Sequence, residues 1–280
     1  EDFERAPFTH DGTTRDTVRI GEGPAVIVIA ELPGITPKVA GFARRVAGIG
    51  CTAVMPHLFG TQEGRRPQVY GLLDSLQGYG IADHHRNWDP QRFYPCIFYR
   101  RDTLEILDSG DQWLSETPEV HASKSWGSAY PRLATWARCR SRDSRALFLF
   151  GCTHLDHVSA DARYGQARVL EHLLKEKNGD ALPTILVGDF NDVPGSAPYE
   201  TLTSSLKDIW FDTHPHDAGE GTWHGFSGKA QKGRLDWILA SPDVQALDAR
   251  ILRTSYQGRY PSDHFPVKAV VEVGDRKSVV

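Results

Sequence analysis

Two polar side chains follow directly on an apolar run near residue 187. The run covers residues 184–187 of the sequence TILVGDFND, at 184–192, and predicts a buried strand. Side chains two apart in a strand point the same way, so Asp189 and Asn191 would share a face if the extended conformation continued. A carboxylate and an amide placed there could bind a cation, orient a water molecule or hold an anionic oxygen. A plain turn, to which Asp and Asn are also suited, explains these residues equally well.

Three further stretches place His or Asp at the edge of an apolar run. They are THLD at 153–156, RLDWI at 234–238 and YPSDHFP at 260–266. Together with Gln62 and Glu63, they occur in the order and at the separations typical of the endonuclease/exonuclease/phosphatase family. The chain resembles that family from about residue 61 to about residue 273. Three more segments carry the resemblance, namely IFYR at 97–100, WLSETP at 113–118 and GTWHGF at 221–226.

The resemblance implies a metal-dependent phosphohydrolase, either a phosphodiesterase or a phosphomonoesterase. Mg²⁺, with Mn²⁺ as the alternative ion, would neutralise the phosphoryl oxygens and assist both the water and the leaving group. Glu63 would be the principal metal ligand, although a Glu at a helix start, stabilised by the helix dipole, is the structural alternative. Asp263 would hold a metal or position a metal-bound water.

The family pattern also implies roles for the residues around the 189–191 motif. Asp189 would orient and deprotonate the attacking water, and Asn191 would hold a phosphoryl oxygen. His154 would donate a hydrogen bond to the phosphate or to the developing charge. Taken alone, His154 is better explained as a core histidine that closes a strand. Asp156 and His157 are interpreted as loop residues without a role.

A carboxylate and an imidazole complete the predicted site. Asp236 and His264 are expected to form a buried pair, in which the carboxylate fixes the ring tautomer and raises its pKa. The imidazole could then be cationic beside the phosphate. Tyr260, next to this loop, is an expected substrate contact.

Three features depart from the family pattern. No Asn lies between residues 25 and 58, where members carry one on their first strand. Cys152 stands where close relatives often have Asn, and Arg92 stands roughly where they have an acidic residue. The missing Asn bears on metal positioning. The alternative to an active enzyme is therefore an inactive chimera, or a non-catalytic binding module on the same scaffold.

The first 60 residues resemble the beginning of a dienelactone hydrolase, an α/β-hydrolase. IAELPGIT at 29–36 and VMPHLFG at 54–60 carry this resemblance, and Glu31 stands where that family has a Glu. An α/β-hydrolase-type esterase is the weaker alternative, because the sequence contains no G-x-C-x-G or G-x-S-x-G nucleophile elbow. Strand, helix and strand over 25–56 predict a βαβ unit with a parallel pair, docked on the sheet that carries Glu63.

The elements that must position these residues predict an α/β fold. Residues 1–23 are polar and turn-rich, and residues 83–92 are interpreted as a solvated loop. Strands are predicted at 96–100, 104–109, 133–139, 146–152, 184–187, 235–239, 247–252 and 267–273, and helices at 67–76, 159–177 and 198–202. Many strands with few helices favour two stacked sheets flanked by helices. The family implies a four-layer α/β/β/α sandwich of two mostly antiparallel sheets.

The expected organisation has three parts. Residues 1–60 form the dienelactone-hydrolase-like segment, 61–273 the phosphohydrolase-like domain, and 274–280 a non-native tail, because the last six residues resemble a translated sequencing adapter. The four cysteines have no C-x-x-C spacing, which favours reduced thiols over disulfides. The natural N-terminus is not visible; the cytoplasm is the favoured location.

The amino-acid composition limits the classes of partner that we expect for this protein. The net charge of −4 gives no strong basic footprint for tight duplex binding, and no apolar run reaches the roughly 20 residues of a membrane span. We expect a monomer that acts on a phosphate ester. Nucleic acid, nucleotide, inositol phosphate and phospholipid headgroup all remain open, and the loops at 110–130 and 211–232 are expected to choose among them.

Overall fold

The computed structural model divides the chain into two compact units, residues 1–77 and 78–280. It describes residues 3–10, 13–22, 25–27, 43–45, 47–48, 52–56, 69–70, 73, 76–89, 92–217, 219–255 and 258–274. Glu31, Gln62 and Glu63 lie outside these residues. The docking of 25–56 on the sheet that carries Glu63, and the three-part domain division, therefore stay predictions.

The described part of the first unit contains a four-stranded sheet in the order β1-β2-β4-β3. Its strands are β1 (Glu4–His10), β2 (Thr13–Ile20), β3 (Ala25–Ile27) and β4 (Thr52–Pro56). β3 and β4 pair in parallel, which confirms the parallel pair predicted for the βαβ unit. Residues 43–45 and 47–48 between them are helical, as predicted.

A hairpin precedes this parallel pair and was not predicted. β1 and β2 pair antiparallel with His10 opposite Thr13, and the exposed side chains of Arg19 and Glu4 form an ion pair across it at 2.7 Å. The interpretation of residues 1–23 as merely polar and turn-rich was therefore wrong. The sequence does carry the signal, because the Asp-Gly dipeptide at 11–12 is a strong hairpin turn former.

The second unit contains one large sheet and two small ones. Its strands are β5 (Tyr79–Ile81), β6 (Phe98–Arg100), β7 (Leu104–Trp113), β8 (Leu133–Ser141), β9 (Leu147–His154), β10 (Thr184–Asp189), β11 (Lys207–Asp208), β12 (Asp236–Ala240), β13 (Val244–Ile251) and β14 (Val267–Val273). In the described part, the order β11-β12-β10-β9-β8-β7 forms the large sheet, and β5-β6 and β13-β14 form the small ones. Only β9 and β10 pair in parallel within the large sheet; its other described pairs are antiparallel. The helices of this unit are α1 (Ala160–Lys177), α2 (Ala197–Thr203) and α3 (Ile209–Thr213).

The two faces of the large sheet are buried against different partners. Leu186 packs with Leu170 and Leu173 of α1, whereas its neighbours Ile185 and Val187 pack with residues of β13 and β14. This alternation follows from the strand period of two. The sheet is thus covered by helices on one face and by strands on the other, which agrees with the predicted layers and confirms the α/β class.

Helix α1 is the crossover between the parallel strands β9 and β10. Ser159 caps it by accepting a hydrogen bond from the Ala162 amide at 3.1 Å, and Lys175 and Lys177 lie in the last turn, where positive charge is favourable. Asn178 ends the helix, as predicted, and its amide donates to the Leu174 carbonyl at 3.0 Å. The helix holds the two strand ends that carry His154 and Asp189 side by side.

The described part of the segment 83–92 is a loop, as predicted, but it is only partly solvated: His84 and Asn87 are exposed, whereas Asp83 is buried. The Arg86 side chain is almost fully buried, lies over the rings of Trp88 and Tyr94, and forms two hydrogen bonds of 2.7 Å with Asp111. The interpretation failed for Arg86 because its partner, Asp111, is 25 residues away in sequence, and no local pattern indicates it.

In the described part of the chain, no helix is long and apolar enough to cross a membrane.

Candidate active site

Three chemically active side chains meet at one edge of the large sheet because of its register. Asp189, the last residue of β10, is paired with His154, the last residue of β9, and with Asp236, the first residue of β12. Directly opposed residues have their Cβ atoms about 4.5–5.5 Å apart, so the three side chains on one face must be neighbours. His154 Nε2 lies 3.2 Å from Asp189 Oδ2. His154 is therefore an exposed residue of the site and not a core histidine.

His264 joins this group from the loop before β14. Its Nδ1 lies 2.8 Å from Asp236 Oδ2, and about a fifth of each side chain is exposed. The predicted contact between Asp236 and His264 is therefore confirmed. His264 Nε2 also lies 3.7 Å from Asp189 Oδ2, so the imidazole lies between two carboxylates.

The buried Thr222 ties the His264 loop to the start of β12. Its hydroxyl accepts hydrogen bonds from the amides of Leu235 and Asp236 at 3.0 and 3.2 Å, and its carbonyl accepts one from the Phe265 amide at 2.8 Å. These contacts hold the two halves of the Asp236–His264 pair, 28 residues apart in sequence, in a constant geometry.

The chain turns sharply after Asp189. Asn191 has φ of +51°, a left-handed conformation that Asn tolerates, so the extended conformation does not continue to it. The assumption that Asp189 and Asn191 share a strand face was therefore wrong. The Asn191 amide N–H donates to Asp189 Oδ1 at 2.9 Å, and its side chain donates to the Leu155 carbonyl at 3.1 Å. The contact of Asn191 with a phosphoryl oxygen stays a prediction.

Gly188 allows the strand that carries Asp189 to approach its neighbour. A Cβ at this position would lie 2.3 Å from the carbonyl oxygen of Thr153 on β9. A side chain there would push β9 and β10 apart and displace both His154 and Asp189. Gly188 is thus required for the packing of β10 against β9, and Asp189 provides the carboxylate of the site.

Burial and charge shift the protonation of these groups. Burial and the neighbouring charge of Asp236 raise the pKa of Asp189 to about 6. For His264, burial favours the neutral ring, but the hydrogen bond and charge of Asp236, with the charges of Asp189 and Asp263, outweigh it and raise the pKa. His154 behaves oppositely: desolvation by the atoms around its partly exposed ring, then the charges of Arg132 and His264, lower its pKa.

Asp156 is a loop residue, as interpreted, but its carboxylate is fully buried and has a structural function. Its Oδ1 accepts hydrogen bonds from the Ser128 hydroxyl and the Ala129 amide, and its Oδ2 from the amides of Val158 and Ser159, at 2.8–3.1 Å. This carboxylate fixes the loop between β9 and α1. That loop carries His157, whose Nδ1 lies 3.1 Å from Nη2 of Arg132.

Arg132 is a part of the site that the sequence interpretation missed. It directly precedes β8 and is 9% exposed, and its Nε donates no hydrogen bond to any described residue. Burial is the main influence that lowers the pKa of this guanidinium, against the charges of Asp156 and Asp189. No local sequence pattern distinguishes Arg132 from a surface arginine, because the charged and histidine side chains near it at the site, such as Asp156 and His157, are more than 20 residues away.

These residues line a cleft of about 690 Å³. Arg132, His154, Asp189 and Asp236 form its polar end, and its other walls include Phe93, Tyr94, Tyr130, Phe150, Cys152, Val187, Ile238 and Val267. Burial raises the pKa of Cys152 to about 12, so its thiol is neutral and cannot act as a thiolate nucleophile. Cys96, Cys139 and Cys152 are free thiols, as predicted; Cys51 lies outside the described residues.

Two predicted site residues face other neighbours. The Asp263 carboxylate lies 3.4 Å from the Trp223 indole nitrogen, and the Tyr260 ring packs against His224 and Phe265. Among the described residues that line the cleft, neither appears. Metal binding by Asp263 and substrate contact by Tyr260 stay predictions.

The donor set at the cleft suits a divalent cation. Asp189, Asp236 and His264 each offer a ligand atom, and these atoms lie within 4.8 Å of one another. Burial, and then the neighbouring charge of Asp236, raise the pKa of Asp189, and a cation would relieve the repulsion between the two carboxylates. Carboxylate oxygens are the ligands that Mg²⁺ and Mn²⁺ prefer, so the described residues fit such an ion. The predicted principal ligand, Glu63, lies outside the described part.

The chain is similar to known proteins in both sequence and structure. The profile of the Endonuclease/Exonuclease/phosphatase family matches residues 44–264. A mannosyl-6-phosphatase from Bacteroides thetaiotaomicron VPI-5482 is 32% identical, with a TM-score of 0.65 over 73% of this chain and 81% of that one. An endonuclease/exonuclease/phosphatase family protein from Bacteroides thetaiotaomicron is also 32% identical, with a TM-score of 0.67 over 73% and 76%.

A more distant structure shares the fold alone. D. rerio TDP2, complexed with a single-strand DNA product, is 17% identical, with a TM-score of 0.58 over 88% of this chain and 98% of that one. A comparison with curated protein sequences gave no significant match. The N-terminal resemblance to a dienelactone hydrolase thus has no support from these comparisons.

Proposed function

Because the chain belongs to the endonuclease/exonuclease/phosphatase family, we propose that it hydrolyses phosphate esters with a metal-assisted, Asp-activated water. The observation that carries the proposal is the meeting of His154, Asp189, Asp236 and His264 at one sheet edge. Water attack on phosphorus needs a base, a cation for the phosphoryl oxygens and help for the leaving group. The described residues offer groups suited to the first two.

Asp189 is the proposed general base. The most efficient catalytic base has a pKa near the working pH, and a pKa of about 6 leaves Asp189 ionised at pH 7 but more basic than an ordinary carboxylate. Its Oδ1 is held by the Asn191 amide, and its Oδ2 faces the two histidines. A water molecule bound to this carboxylate would be oriented by the same fixed geometry.

The two histidines are proposed to serve different purposes. His264, whose cationic form is favoured by Asp236, donates Nδ1–H to that carboxylate, and its Nε2 lies 3.7 Å from Asp189 Oδ2, where it would stabilise negative charge that develops on the phosphoryl group. His154 is neutral at pH 7, so it offers an N–H without adding positive charge. That N–H can turn from Asp189 to a phosphoryl oxygen, which is the proposed contact of His154.

A divalent ion, Mg²⁺ or Mn²⁺, is proposed to be held by Glu63 and Asp263, with Asp189 and Asp236 close by. When bound, it supplies positive charge to the phosphoryl oxygens. Family members generally use such ions, and the paired carboxylates support the same requirement here. Asp236 would then have two tasks, because it also holds the His264 ring.

The proposed substrate is a phosphomonoester, and a sugar phosphate is the first to test. The similarity to the mannosyl-6-phosphatase, at 32% identity, supports this choice. The nucleic-acid alternative has weaker support, since the likeness to TDP2 concerns the fold alone and the net charge of −4 provides no basic footprint.

One assay separates the proposal from its alternatives. Hydrolysis of mannose 6-phosphate, p-nitrophenyl phosphate and bis-p-nitrophenyl phosphate is measured with Mg²⁺, with Mn²⁺ and with EDTA. Turnover that requires the metal and is lost in Asp189→Asn is the expected result. No turnover of any ester by well-folded protein would favour the inactive chimera or binding module. Turnover of p-nitrophenyl acetate that is insensitive to EDTA would favour the esterase.

A further inference from the structure

Arg132 is a buried cation whose hydrogen-bonding capacity is largely unused. A guanidinium has five N–H donors, but in the described part of the chain its only hydrogen bond is the one from Nη2 to His157 Nδ1, at 3.1 Å. Its Nε is fully buried and has no hydrogen-bond partner among the described residues. The terminal nitrogens are the ones that a ligand in the cleft could reach, and their unused N–H donors indicate such a ligand.

The nearby carboxylate cannot serve as that partner. Asp156 Oδ1 is 4.0 Å from Arg132 Nε, which is beyond hydrogen-bond distance. Both Asp156 oxygens already accept two hydrogen bonds each, from Ser128 and from the main chain of residues 129, 158 and 159. Asp156 attracts the guanidinium through space but has no acceptor position left for it.

The residues around Arg132 hold its guanidinium in place and leave most of its N–H donors unpaired among the described residues. Because arginine only donates, His157 Nδ1 must accept, and an accepting imidazole is uncharged. The His157 ring is stacked on Tyr130, with 5.8 Å between centroids and 14° between planes. The main-chain carbonyl of Arg132 accepts a hydrogen bond from the Leu114 amide at 2.8 Å. The position of the guanidinium is therefore fixed, while its charge stays available.

The free side of this cation belongs to the cleft of the proposed active site. Arg132 lines that cleft together with His154 and Asp189. The planar fork of a guanidinium matches two oxygens of one phosphate and binds them by charge-assisted hydrogen bonds. A terminal phosphate carries about −1.5 to −2 charges at pH 7. A phosphodiester carries one fewer ionisable oxygen and thus gains less from an added cation.

We propose that Arg132 is a substrate-binding residue that holds the phosphate group in the cleft and favours phosphomonoesters over phosphodiesters. This assignment rests on the proposed function and deepens it, because it selects the substrate class. Tyr130 and His157 are positioning residues, which act through the guanidinium.

Binding of inorganic phosphate tests the assignment without requiring turnover. Wild type, Arg132→Gln and Arg132→Lys are compared by calorimetry and by the phosphate-dependent shift of melting temperature, in EDTA and at constant ionic strength. Arg132→Gln is expected to weaken phosphate binding about 10- to 100-fold, the range for hydrogen bonds to a charged group. Arg132→Lys is expected to weaken it less, because the charge remains but the fork is lost.

Arg138→Gln is the matched control. Arg138 lies on β8, six residues after Arg132, and pairs with Asp180 at 2.8 Å. Its removal is expected to change phosphate affinity less than about twofold, since Arg138 is not among the described residues that line the cleft and its surface ion pair contributes little to stability. If Arg132→Gln does not fold, Arg132→Lys decides the question: a wild-type phosphate affinity in the folded Lys variant would overturn the assignment.

Kinetics then separate this assignment from the proposed function. Arg132→Gln is expected to lower kcat/KM for p-nitrophenyl phosphate at least tenfold more than for bis-p-nitrophenyl phosphate. If the wild-type protein hydrolyses esters and Arg132→Gln hydrolyses them equally well, the assignment of Arg132 is overturned and the proposed function stands. Wild type that binds phosphate through Arg132 but turns over no ester would support Arg132 as the phosphate ligand and refute the proposed function. Wild type that binds no phosphate would overturn the assignment.

Discussion

Replacing Asp236 with Asn should remove most of the activity by changing the charge of His264. The Oδ2–Nδ1 contact of 2.8 Å supplies the hydrogen bond and the largest attraction that keep the imidazole protonated. Without that charge, burial of the ring dominates and its pKa falls. At pH 7 the ring of Asp236→Asn should therefore be largely neutral and less able to stabilise the phosphoryl charge.

The expected magnitude follows from the size of that charge stabilisation. Removing one donor that stabilises a developing charge in a dry site lowers kcat about 10²-fold to 10³-fold. His264→Ala and Asp236→Asn should each lose about that much, and the double variant should lose little more, because the two residues act as one unit. Independent contributions would instead multiply to about 10⁴-fold or more.

The assay is kcat/KM against pH for wild type, the two single variants and the double variant, at saturating Mg²⁺. Activity that needs cationic His264 is lost as pH rises through the His264 pKa. Because Asp236→Asn lowers that pKa, its alkaline limb should move to lower pH. Multiplying losses in the double variant, or an unmoved alkaline limb, would refute the pair. A change in Mg²⁺ activation alone would instead identify Asp236 as a metal ligand only.

Three further predictions concern other residues. Glu63→Ala should abolish metal-dependent activity while the fold stays intact, and unchanged Mg²⁺ affinity by calorimetry would refute Glu63 as the ligand. Wild-type activity should fall as pH drops through about 6, because Asp189 then gains a proton; an acid limb that stays in place when Asp189 is replaced by Glu or Asn would assign it to another group. For Asp111, burial raises the pKa but hydrogen bonds from His85, Arg86 and Thr135 outweigh it and lower the pKa to about 2. Its contribution is therefore present above the unfolded pKa and is lost as pH falls to about 2. Asp111→Asn should lower the free energy of unfolding at pH 7 by about 2 kcal/mol, measured by urea unfolding, and a difference from wild type that persists unchanged at pH 2 would contradict this origin.

Much of the fold follows from local patterns. The apolar run before Asp189, the helix at 159–177 and the parallel strands around residues 25–56 were predictable because period and end signals are contained within each element. Three short elements of the second unit, β5, β11 and α3, were not predicted. They contain three, two and five residues, so they are too short for a period to be recognised.

Some features of the site could be predicted from the sequence, and others are decided only by the structure. The sequence alone predicted the contact of Asp236 with His264, and it identified His154 and Asp189 as strand-end residues, because their motifs lie at family separations. It could not distinguish a turn at Asn191 from a continuing strand, since one residue's φ angle is decided by the contacts of its neighbours. It gave no indication that Asp156 is fully buried, because the groups that donate to its carboxylate come from two segments of the chain.

The tertiary structure alone decided which charges are compensated. Asp156 is saturated by hydrogen bonds from two segments of the chain, whereas Asp189 faces Asp236 and has a raised pKa. Arg86 forms two hydrogen bonds with Asp111, whereas Arg132 has no hydrogen bond to a carboxylate among the described residues and donates to His157. The residue types are the same within each pair. The type of a residue determines how much charge its side chain can carry. The energetic cost of burying that charge, and what the charge can bind, depend on neighbours that only folding brings within hydrogen-bond distance.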